Sequence, residues 1–109
     1  MTRDDITDRE LLELAAKAAG YSFDGTTLRN TSTDFEYNGW NPLDDDGDAL
    51  RLAVKLRMGI SLPIHKTIKA DVVVFTDSSV NVREEGDDPL TATRRAIVRA
   101  AAEIGRNMT

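Results

Sequence analysis

The chain has 109 residues, 19 acidic against 14 basic side chains for a net charge of −5, 40% hydrophobic residues and no cysteine. Folding at this length buries roughly two thirds of the unfolded chain's surface, so one domain over residues 1–109 is expected and a second, catalytic domain is excluded. Apolar runs are too broken by charge for a membrane span of about 20 residues, the patterning is too regular for disorder, and without cysteine there is neither a disulfide framework nor a thiolate metal site.

The first residues, MTRDDITDRELLEL, lack the basic end and apolar stretch of a secretory signal, and a cytoplasmic location is expected. Thr7-Asp8-Arg9-Glu10 is a capping-box sequence and predicts a helix over 7–19. Ile6 and Leu11 are spaced as a staple, Leu11, Leu14, Ala15 and Ala18 form the apolar stripe, and Gly20 ends the helix. Between Tyr21 and Tyr37 the helical period disappears. Asp24-Gly25 reads as a two-residue hairpin turn, with a third short strand near residues 34–37. Trp40-Asn41-Pro42 reads as a turn, because a residue before proline is pushed out of the helical region.

Asp44, Asp45, Asp46 and Asp48 precede the run 49–56, the second predicted helix, whose apolar residues occupy most of its circumference. Such a helix is expected to be largely covered. Segments 60–64, 70–76 and 79–84 read as strands joined antiparallel, with the short turn 76–79 excluding a crossover helix and Pro63 indicating an edge. A third helix follows Pro89 to about Arg106, with Leu90, Ile97, Ala101, Ile104 and Met108 expected on its buried stripe. Helix, short strands, helix, strand meander, helix is an α+β order: three helices packed on a small, mainly antiparallel sheet, sandwich-like.

Charge is segregated along the chain. Residues 34–48 hold six carboxylates and no Lys or Arg, while the last helix carries Arg94, Arg95, Arg99 and Arg106 against Glu103. Carboxylates at a helix start offset the partial positive charge of its unpaired amides, which gives the run 44–48 a structural role. A weak cation site at Asp44, Asp46 and Asp48 is the alternative, although the glycine and glutamate spacing of a calcium loop is absent. Asp77-Ser78-Ser79 fits a hairpin turn better than a strand-end catalytic loop. His65, the single histidine, reads as a solvated loop residue, and no nucleophile elbow or phosphate-binding glycine loop is present, so neither catalytic residues nor a cofactor are expected. Arg95, Arg99 and Arg106 project from one helix face and are the candidate interaction surface. Trp40 is read as a core anchor first and an interface residue second.

The runs RELLELAAKAAG (9–20), WNPLDDDGDALRLAVKL (40–56) and ATRRAIVRAAAEIGR (92–106) resemble a group of short bacteriophage and prophage proteins, the phage ABA-sandwich-like proteins. The resemblance covers the three helices and implies a phage or prophage origin and a helix/sheet/helix sandwich; it implies no activity and no functional residues. The leading expectation is a non-enzymatic accessory protein that binds another protein, of host or phage, in the host cytoplasm. The alternative is association with nucleic acid through the arginine face, or imitation of DNA by the acidic 34–48 surface.

Overall fold

Each helix starts where the sequence supplies an oxygen for its first free amides. A computed structural model describes residues 6–30, 32–62 and 70–108; the readings made for Pro63 and His65 lie outside the described residues. Helix α1 (Asp8–Ala18) opens on the predicted capping box: Thr7 Oγ1 accepts from the Glu10 amide at 3.1 Å, and Glu10 Oε1 accepts from the Thr7 amide at 3.5 Å. Gly20, at φ +86°, turns the chain out of the helix in a conformation that favours glycine.

Strands β1 (Tyr21–Phe23), β2 (Thr27–Asn30) and β3 (Glu36–Asn38) form an antiparallel meander. The first turn is centred on Gly25-Thr26, one residue later than Asp24-Gly25. Asp24 closes it, because its carboxylate accepts from the amides of Thr26 (2.9 Å) and Thr27 (2.8 Å) and from Arg29 Nη1 (2.7 Å). Helix α2 (Asp46–Lys55) is capped by Asp45, whose side chain accepts from the Asp48 amide at 2.8 Å. Strands β4 (Gly59–Ser61), β5 (Ala70–Phe75) and β6 (Asn81–Gly86) make a second antiparallel meander. Thr76 and Val80 close its predicted 76–79 turn, with the Thr76 amide donating to Val80 O at 3.1 Å. Helix α3 (Pro89–Arg106) is capped by Asp88 and has proline in its first turn, where a missing N–H costs nothing.

The α+β order is as read from the sequence. The strands, however, divide between two three-stranded sheets, β1-β2-β3 and β4-β5-β6, instead of forming one. Helix α2 separates the two meanders in the chain, and each sheet pairs only strands that are neighbours in sequence. Helix α3 is the hub: it packs against α1 most extensively and also against β5, β6 and α2. Val72, Val74 and Val82 turn inward from β5 and β6, while Asn81 and Arg83 alternate outward.

The α1–α3 seam is built from small residues. Ala15 and Ala16 on α1 and Ala100, Ala101 and Ala102 on α3 are buried, and Gly105 lies directly against the backbone of α1 at Leu14 and Ala18. The stripe predicted for α1 is accordingly rotated: Leu12 and Ala16 are buried, Leu14 and Ala18 only half-buried.

Two expectations of burial are corrected. Helix α2 is covered on one side only, where it buries Asp48, Ala49, Leu52 and Ala53, and it leaves Leu50 60% and Val54 68% exposed. These two lie one turn apart on the side turned away from the neighbouring elements. Leu90 and Met108, assigned to the buried stripe of α3, are also exposed: Leu90 lies in the first turn of the helix and Met108 beyond its last residue, where Lys17 reaches only the Met108 carbonyl.

Candidate functional site

The helical spacing of Arg95, Arg99 and Arg106 brings the three side chains to one groove of about 360 Å³ between α3, β6 and the start of α1. The groove is already neutralised. Glu84 on β6 pairs with Arg99 and lies 3.9 Å from Arg95 Nε; Arg95 Nη1 is 3.5 Å from Asp8, and Arg106 Nη1 is 3.6 Å from Glu103. Arg99 also donates to Arg83 O at 3.3 Å. A phosphate entering here would have to displace carboxylates from at least two of the three arginines, which removes much of the gain that counterion release gives a bare basic face.

Arg94 leaves that face and crosses to the acidic segment. Its Nε donates to Leu43 O at 2.8 Å and its Nη1 to Asp46 at 2.6 Å, with the side chain only 16% exposed. The basic helix and the acidic run, apart in sequence, are thus one contact in the fold.

Asp44, Asp46 and Asp48 do not converge on a common point. Asp44 accepts from Asn41 Nδ2 at 3.1 Å, and Asp46 is taken by Arg94. Asp48 is buried, at 1% exposure, and accepts from Asn41 N (2.9 Å), Tyr37 Oη (3.2 Å) and Arg51 Nη2 (2.7 Å). A buried carboxylate is tolerated when hydrogen bonds replace its water, and these three do so. Among the described residues no group of three or more His, Cys, Asp or Glu is placed to hold a metal ion. The bond from Tyr37 to Asp48 holds the phenol proton in place and raises its pKa above the ordinary value near 10, with the negative charge of Asp48 adding to the effect.

A second cavity, of about 260 Å³, lies where α2 docks on the first sheet. Tyr21, Leu28, Phe35, Tyr37, Trp40 and Leu52 form its walls, and Arg51 and Lys55 stand beside them. Trp40 is 7% exposed and meets Phe23 edge-on, with ring centroids 5.3 Å apart; Tyr21 and Phe35 are 5.7 Å apart. Lys55 Nζ sits 5.1 Å from the centre of the Tyr21 ring.

Trp40 is therefore both a core residue and part of a cavity wall. The sequence reading did not find this cavity. One signal for it was present: five of the six aromatic residues lie between Tyr21 and Trp40. The groups around it are hydrophobic surface and N–H donors, suited to holding an apolar group beside an anion. No protein-family model, curated protein or solved structure matches the chain.

Proposed function

We propose that the chain is a small non-enzymatic accessory protein of phage or prophage origin that acts by binding another protein in the host cytoplasm. The phage origin rests on the resemblance carried by the three helices. The binding role rests on one observation, the pair of large apolar side chains that α2 leaves exposed one turn apart, Leu50 and Val54. Leu50 and Val54 stand out from α2, and Phe35 and Tyr37 are exposed on the walls of the aromatic cavity. Burial of large apolar side chains drives association, and their grouping on a folded surface marks a place where a partner covers them. The arginine groove supports direct nucleic-acid binding less well, because its cations are matched by carboxylates of the same chain.

The test is affinity capture from host cells with the wild-type chain and a Leu50→Asp/Val54→Asp variant, both checked for the same unfolding midpoint. A protein retained by the wild type and lost with the variant supports the reading. Equal retention by both, or no retained protein, refutes it.

A further inference from the structure

We infer that the aromatic cavity between α2 and the first sheet receives a single apolar or aromatic side chain of the partner, and that a carboxylate next to that side chain pairs with Lys55. The inference deepens the protein-binding reading and rests on it for the source of the ligand.

Size limits the occupant first. At about 260 Å³ the cavity is smaller than the roughly 300–1,000 Å³ of pockets that take drug-sized molecules, so it has room for one side-chain-sized group. Wall chemistry limits it next, because Tyr21, Phe35 and Trp40 offer ring faces and edges that suit an apolar or aromatic group. Charge then sets its neighbour. The protein is acidic overall, yet the charged residues lining this cavity are both cations, Arg51 and Lys55.

The two cations are not equivalent. Arg51 already donates to buried Asp48 at 2.7 Å, whereas the Lys55 ammonium meets no carboxylate among the described residues and rests over the Tyr21 ring. A carboxylate arriving beside the apolar group would supply the counter-charge that Lys55 lacks. An ammonium there would be repelled by both cations.

Trp40 is the only tryptophan and forms part of the wall, so its emission reports occupancy directly. The purified full chain is titrated with N-acetyl-Phe-Glu-amide, N-acetyl-Phe-Lys-amide and 3-phenylpropanoate. The expected result is a saturable change in Trp40 emission with the Phe-Glu probe at about fivefold lower concentration than with the Phe-Lys probe, the size of one solvent-exposed ion pair. A Lys55→Glu variant with an unchanged unfolding midpoint should lose or reverse that preference.

No saturable change with any probe, or equal response to the two dipeptides, overturns the inference. Tighter binding of 3-phenylpropanoate than of the Phe-Glu probe overturns the partner side chain as the source and assigns the cavity to a free small acid. Because this titration uses isolated protein and Lys55, while the capture experiment uses a whole partner with Leu50 and Val54, either can fail without the other.

Discussion

A Cβ on Gly105 would lie 2.0 Å from the backbone oxygen of Leu14, 2.9 Å from its carbonyl carbon and 3.4 Å from the Ala18 amide nitrogen. Gly105→Ala therefore sets two effects of opposite sign against each other. Alanine is the better helix former by about 1 kcal/mol in a helix interior, and less than that at the penultimate residue of α3. Against this, side-chain Cβ atoms essentially never approach another heavy atom closer than 3.0 Å, so α1 and α3 must part locally by about 1 Å. The obstruction is backbone and no rotamer change relieves it. A gap of 0.5–1 Å forfeits about a quarter to a half of each contact's attraction, and the seam of Ala15, Ala16, Ala101 and Ala102 consists of such contacts. Overpacking of this kind costs about 1–3 kcal/mol and occasionally more, so the net expectation is a loss of about 2–3 kcal/mol and a Tm lower by about 10–20 °C. Thermal and urea unfolding followed by circular dichroism measure it. Gly86→Ala is the control, since its Cβ would meet only the Ala92 Cβ at an ordinary 3.9 Å. A Gly105→Ala variant as stable as the wild type, or more stable, would refute the close approach of α1 and α3 argued above.

Two further outcomes follow from the site residues. Asp48→Ala removes the acceptor for Asn41 N, Tyr37 Oη and Arg51 Nη2, and should lower stability by about 3 kcal/mol in urea unfolding; a change under about 0.5 kcal/mol would show that the bonds are replaced by water at no cost. Acid should also destabilise the fold. The Asp24 carboxylate is held well below the ordinary value near 3.8, first by the Thr27 amide and then by Arg29; Asp71 is lowered by Arg83, and Asp88 by the Thr91 hydroxyl. Depressed folded-state values mean that the unfolded chain takes up protons first as pH falls, so stability is complete above about pH 5 and is lost progressively below it. Urea midpoints at pH 7, 4 and 2.5 should show a drop that is largest in the step from pH 4 to 2.5, and smaller in Asp24→Asn; a midpoint that is flat or rising toward pH 2.5 contradicts the assignment.

Legibility in the sequence followed the range of the interaction. Thr7 with Glu10 is a contact within one turn, and that capping box and the end of α3 at Arg106 are as the sequence reads. Burial was less legible where it depends on what another element covers. The apolar circumference of α2 shows how many of its residues could be buried, but only the docking of its Ala49–Leu52–Ala53 side decides that Leu50 and Val54 are not. Alternation likewise identified strands without saying that the two meanders stay apart. The aromatic cavity falls between these cases. Its rings are concentrated in one sequence segment, whereas its closure by Arg51, Leu52 and Lys55 requires α2 to settle on the first sheet.

The arginine face illustrates why a correct local reading can mislead about function. Spacing alone puts Arg95, Arg99 and Arg106 together, and the fold does so. Their partners are set by contacts that spacing does not contain: Glu84 lies 15 residues before Arg99, and Asp46 lies 48 residues before Arg94. Segregated charge in a sequence has two physical outcomes, an exposed field of one sign or an internal junction of opposite signs, and burial distinguishes them. Here the junctions are local: Arg94, 16% exposed, crosses to Leu43 O and Asp46, Glu84 takes Arg99, and buried Asp48 takes Arg51, while Asp34, Glu36, Asp44, Asp45 and Asp46 stay exposed. The net charge of −5 then says little about what approaches the surface. Recognition is better sought at the exposed Leu50 and Val54 of α2 and at the Trp40 cavity, where Lys55 meets a ring but no carboxylate among the described residues.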